Sequence, residues 1–101
     1  MKKIQELSEM IEEEIEDAIK YAKCALDNKE TNPSLAETFY KLSNEELGHM
    51  QALHSQVVTI IDEYRKSNGE PPEAMLMLYD IMHKKHIANA ATAKGLLSLY
   101  K

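Results

Sequence analysis

Two acids and one imidazole carry the most chemistry in this 101-residue chain. Glu46-Leu47-Gly48-His49 is a Glu-x-x-His step. Residues three apart are neighbours on one helical face, so this carboxylate and imidazole point the same way. Glu14 sits at the matching place in the preceding helical segment. A carboxylate facing a Glu/His pair inside a helical bundle supplies the ingredients of a di-metal carboxylate site. Hard carboxylate oxygens neutralise the cations, and one carboxylate can bridge two metals. Imidazole suits iron, manganese and zinc. Paired metals of this kind can bind and reduce dioxygen or peroxide while cycling between oxidation states.

The elements that must position these groups are helices. Few Gly and Pro, no Trp, and many Glu, Lys, Leu, Ala and Met make a helix-rich composition. Two breaks divide the chain. In the first, Asn28 to Ser34, either Asn32 caps a helix opening on Pro33, or Ser34 caps it with Glu37 closing a capping box. In the second, Ser67 to Pro72, Gly69 suits the left-handed residue after a helix end, and the prolines restart the chain. Helices are therefore predicted over 3–29, 33–67 and 71–99. The first has an apolar stripe at Ile4, Leu7, Ile11, Ala18, Tyr21 and Ala25, with Glu14 inside it. The second repeats the pattern with Leu35, Phe39, Leu42, Leu53, Ile60 and Tyr64, and Glu46 and His49 stand where it should read apolar. The third begins Ala74-Met75-Leu76-Met77-Leu78-Tyr79, apolar on every side, which predicts burial or a covering partner. Its small-residue end, Ala88 to Ala93, would permit close helix approach.

Short connections make successive helices antiparallel neighbours. Folding helices 1 and 2 about a turn near residue 31 puts position 14 level with position 48, so Glu14, Glu46 and His49 should meet at one height. Folding about residue 69 or 70 puts position 48 level with about position 91, where Asn89 to Ala93 offer no good ligand. The Asp80/His83 pair is off level by roughly 12 Å at the helical rise per residue. Helix 3 should not complete the site. His83 and His86 lie nearer the height of His54; the three could form a second polar cluster, but exposed histidines are the expectation there. One chain thus offers two carboxylates and one imidazole. A symmetric dimer would offer four and two, on a shared patch.

Glu14, Tyr21 and the Glu46-x-x-His49 step together resemble the first half of rubrerythrins and bacterial ferritins. The pattern is also similar to encapsulated half-ferritins, in which two helices per chain dimerise into a four-helix bundle, and to small ferritin-like proteins of prophages and gut Firmicutes. The resemblance covers helices 1 and 2. It implies that Glu14 and Glu46 are iron ligands, with Glu46 the bridge, and that His49 is the nitrogen ligand. It implies Tyr21 as a hydrogen-bonding or redox-active neighbour of two irons shared by a homodimer. The chain departs from these families in having no second Glu-x-x-His, no Cys-x-x-Cys pair, no targeting tail after Lys101, and an added third helix.

Composition narrows the alternatives. A formal net charge of -5 argues against nucleic acid, since phosphate contact needs a basic face. The single Cys24 excludes an intrachain disulfide and fits a reducing, cytoplasmic setting; Cys24 reads as a small buried residue. The run after Met1-Lys2-Lys3 is broken by Gln5, Glu6, Ser8 and Glu9, unlike a signal peptide, and no stretch approaches membrane-spanning length. A plainer reading of the acids is a hydrogen-bonded network that fixes helix register. In a dimer that network would gather four acids with no Lys or Arg in either stripe, and protonation would have to relieve the repulsion. The expectation is an all-α domain over 1–101: a three-helix chain with a ferritin-like hairpin, paired as a homodimer or a ring of dimers. It would hold two Fe per dimer, with Mn or Zn acceptable to the same ligands, and oxidise Fe(II) with dioxygen or peroxide. The alternative is a non-enzymatic, phage-derived interaction protein that binds a protein partner through helix 3.

Overall fold

The computed structural model describes residues 2–101 and is all-α, with no strand among the described residues. Helix α1 spans Lys2–Asn28, α2 spans Pro33–Asn68 and α3 spans Glu73–Tyr100. The ends fall where the sequence places them because local chemistry fixes them. Asn32 caps α2: its side-chain oxygen accepts a hydrogen bond from the Leu35 amide at 3.3 Å, and Pro33 opens the helix. Of the two caps open from sequence, this is the one used. Gly69 takes φ 79°, a left-handed value that favours glycine, and its amide donates to the Arg65 carbonyl at 3.1 Å.

The molecule is a rod of 56 × 18 × 18 Å, its length set by α2. Helix α1 is the central member and packs along both α2 and α3, whereas α2 and α3 meet mainly through long side chains. One core cluster, near the α1–α2 turn, joins Ala18, Ala22, Leu47, Ala90, Ala93 and Leu97. The other joins Ile4, Ile11, Ile15, Val57 and Ile61.

The buried stripe of α1 keeps Ile4, Ile11, Ala18 and Ala25 of the predicted one but leans away from Leu7 and Tyr21, and that of α2 lies one step around from the predicted line. In α1 the buried positions are Ile4, Ser8, Ile11, Ile15, Ala18, Ala22 and Ala25. Leu7, Glu14 and Tyr21 flank that line, half-buried. In α2 the buried positions are Ala36, Ser43, Leu47, Val57 and Ile61. Phe39, Leu42, Glu46, Leu53, Ile60 and Tyr64 are half-buried, and Leu35 is exposed. The physical reason is that each helix carries apolar residues on two adjacent stripes. Packing with α3 buries one stripe, and the other remains on the outside of the α1–α2 hairpin. Glu12, on the opposite flank of α1 from Glu14, bonds Lys85 of α3 at 2.7 Å, so the Glu14 flank faces away from α3. The start of α3 is only partly covered. Met75 and Tyr79 pack on the Ile4–Ile61 cluster, while Met77, Leu78 and Ile81 are more than half exposed.

Candidate metal centre

Glu14 of α1 and Glu46 and His49 of α2 come together at one height of the hairpin. Each offers a ligand atom, and those atoms lie within 4.8 Å of one another. His49 Nδ1 is 3.4 Å from Glu14 Oε2 and 3.6 Å from Glu46 Oε1. These are ion-pair distances rather than hydrogen bonds. Glu14 Oε2 is buried and has no hydrogen-bond partner. His49 is the open side of the cluster, with its side chain 60% exposed, against 27% for Glu14 and 17% for Glu46.

The two acids strain against each other electrostatically. The Glu46 carboxyl is pushed up from 4.5 to about 7. The first cause is its hydrogen bond with Glu14, which requires one of the pair to hold a proton; burial and the Glu14 charge add to it, and His49 opposes it. Asp17, one turn along α1, pushes the same way. Near neutral pH the Glu46 carboxyl of the metal-free protein therefore holds a proton part of the time, against Glu14. A divalent cation placed among the three ligand atoms would displace that proton and satisfy the orphaned oxygen, so the donor set fits a metal ion.

Two contacts fix the register that creates the cluster. Ser43 Oγ donates to the Ala18 carbonyl at 2.6 Å, fully buried, one turn from Glu14 and Glu46 toward the chain reversal. Beyond it, the rings of Tyr21 and Phe39 stack with centroids 6.1 Å apart. The Tyr21 ring packs on Phe39, and its hydroxyl has no hydrogen-bond partner among the described residues. Cys24 is half-buried rather than buried. Asp80 pairs with Lys84 at 2.9 Å and stands apart from the cluster, as the level argument requires.

No protein-family model matches the chain, and neither curated proteins nor solved structures give a match. The site has to be argued from its own geometry. Three ligands from two helices leave part of a metal's coordination shell open. That open side faces the uncovered flank of the hairpin, between Leu7, Tyr21, Phe39, Leu42, Leu53 and Ile60.

The expected exposed histidines are not exposed. His86 is buried, and His54 and His83 are half-buried. His54 and His83 stack with centroids 4.4 Å apart, and His54 Nε2 meets the Tyr79 hydroxyl at 3.1 Å. The shared height of these residues was readable from the fold of α2 on α3. Their burial was hidden by Lys84 and Lys85, which make this stretch of α3 read as solvent-facing.

Proposed function

We propose that the chain is a ferritin-like metal-binding protein whose Glu14, Glu46 and His49 hold one transition-metal ion. Two copies paired through the α1–α2 flank would bring two such sets together and form a di-iron carboxylate centre. The carrying observation is the convergence of two carboxylates and an imidazole on an uncovered, part-apolar flank, with one carboxylate oxygen buried and without a hydrogen bond. The flank residues Leu7, Phe39, Leu42, Leu53 and Ile60 suit an isologous interface, because the same patch serves both copies. Iron bound there would supply one-electron redox chemistry, so that two Fe(II) deliver two electrons to dioxygen or peroxide. The chain's own contribution is threefold. Glu14 and Glu46 would supply negative charge to the metal. His49 supplies the nitrogen donor. The Glu14/Glu46 pair gives up its shared proton as metal enters. Manganese or zinc would satisfy the same donors, since selectivity depends on geometry and availability.

The test is an anaerobic Fe(II) titration of metal-free protein, followed by air and ultraviolet-visible spectra. Saturation near one iron per chain, with a ferric band in air and loss of both in Glu46→Ala, is the expected result. Absence of saturable binding would leave the cluster as a register-fixing network. The second reading, an interaction protein using α3, then gains weight from the exposed Met77, Leu78 and Ile81.

A further inference from the structure

A groove of about 390 Å³ runs between α2 and α3 over Ile11 of α1. It lies on the side of the bundle away from the Glu14 flank and owes nothing to it. Its walls are unequal. Met50, Ile87 and Ala90, with Ile11 as floor, make an apolar middle. His54, Ser55, His83 and His86 gather toward one end, and Lys94 stands toward the other. No Asp or Glu lines it.

The polar end is built and unsatisfied. His86 is 5% exposed and has no hydrogen-bond partner among the described residues. His83 Nδ1 is buried and also lacks one. His54 is the exception, since its Nε2 is engaged by the Tyr79 hydroxyl. Buried polar groups in native structures are almost always partnered, so the unpartnered Nδ1 of His83, beside the His86 imidazole that lines the same end of the cavity, points to a ligand. A half-open cavity of this volume that joins an apolar stretch to a few convergent polar groups has the build of a small-molecule site.

The charge of the surroundings selects the ligand. On α1, Glu12 faces His86 but is tied to Lys85 at 2.7 Å. On α3, Asp80 is tied to Lys84 at 2.9 Å, and Tyr79 is held by His54. From α2 only His54 titrates into the groove. The unengaged groups that can carry positive charge are thus two imidazoles and the Lys94 side chain, with Gln51 and Ser55 adding neutral polar atoms. A metal ion is the poorer occupant, because among the described residues only the Glu14, Glu46 and His49 atoms converge as a ligand set. An anion can use imidazole N–H donors singly and needs no such convergence. Burial holds His54 and His86 toward their neutral forms, so a bound anion would draw a proton onto the cluster.

We propose that this groove binds a small carboxylate with an aliphatic body, the carboxylate at His83 and His86 and the body along Met50, Ile87, Ala90 and Ile11. The probe is octanoate, with octanol as the uncharged control, titrated into full-length protein and followed by calorimetry and by the histidine ring signals in NMR. Saturable binding near one per chain is expected, with octanol at least about tenfold weaker, in keeping with the strength of a charge-assisted hydrogen bond. Octanoate affinity should fall about tenfold from pH 6 to pH 8, because the anion favours the protonated cluster. His83→Leu should lower octanoate affinity about tenfold while leaving octanol unchanged, through loss of one charge-assisted donor. Equal binding of octanol and octanoate, or ring signals unmoved at saturation, would overturn the proposal. So would absence of saturable binding at pH 6. Should His83→Leu fail to fold, the octanoate/octanol contrast on the native chain decides the matter alone.

Discussion

The shared proton of Glu14 and Glu46 has a measurable energetic signature. An acid whose folded value exceeds its unfolded value is protonated on folding between the two. Stability then falls as pH rises from about 4.5 to about 7 and stays low above that. The upward push of the Glu46 carboxyl from 4.5 to about 7 corresponds to about 3 kcal/mol, at about 1.4 kcal/mol per pH unit. Glu46→Gln keeps the shape, places an amide donor beside Glu14 and removes the titration. The stability difference between Glu46→Gln and the native chain should therefore grow by about 2–3 kcal/mol in favour of the variant between pH 4.5 and pH 8. In urea unfolding with chelator present, that is a midpoint shift of about 1–2 M for a domain of this size. Taking the difference between the two proteins cancels the distant His54, His83 and His86, and working at a concentration where both proteins are shown to have the same oligomeric state removes subunit association. A difference constant with pH to within about 0.5 kcal/mol would show that the two acids do not share a proton, and the electrostatic case for a metal there would fall with it.

Other outcomes follow from separate features. Burial pushes His54 and His86 toward their neutral forms, so below about pH 6.5 the unfolded chain takes up protons more readily than the folded chain, and in the Glu46→Gln variant, where the opposing Glu46 titration is gone, stability should fall with acid; a stability flat from pH 6.5 to pH 5 in that variant would contradict this. Ser43→Ala removes the buried tie to the Ala18 carbonyl and should lower stability by about 1 kcal/mol, with a parallel loss of Fe(II) affinity if register governs the site; unfolding and iron titrations on one preparation check both. Gly69→Ala forces a side chain onto φ 79° and should lower the thermal midpoint by several degrees, from a strain of about 1 kcal/mol. It should leave iron binding untouched, because the turn is remote from the cluster.

Legibility followed the kind of information each level of the chain carries. Helix ends were readable because Asn32, Pro33 and Gly69 act through their own backbone neighbours. The meeting of Glu14 with Glu46 and His49 was readable because a short turn and a fixed rise leave little freedom in height. The choice of core face was not. Leu7 and Tyr21 are as apolar as Ile15 and Ala22, and only the position of α3 decides between the stripes. Ser8 and Ser43 are buried against the usual preference for small polar residues at the surface, and composition gives no sign of it. The imidazole cluster was half-legible: height placed His54, His83 and His86 together, but burial depends on how α3 is turned about its own axis.

The α1–α2 seam is graded along its length. Toward the chain reversal it is lined by Ala18, Ala22, Ala25, Ala36 and Ser43; toward the free ends it is lined by Ile4, Ile11, Ile15, Val57 and Ile61. Interaxial spacing follows the side chains at the contact, so the small residues near the turn permit a closer approach than the branched aliphatics beyond it. Glu14 and Glu46 sit where small side chains give way to large ones. Substituting one seam residue would act there as a calliper adjustment, moving one carboxylate relative to the other without touching either. Such changes offer a way to tune the bite of the ligand set while its chemistry stays constant.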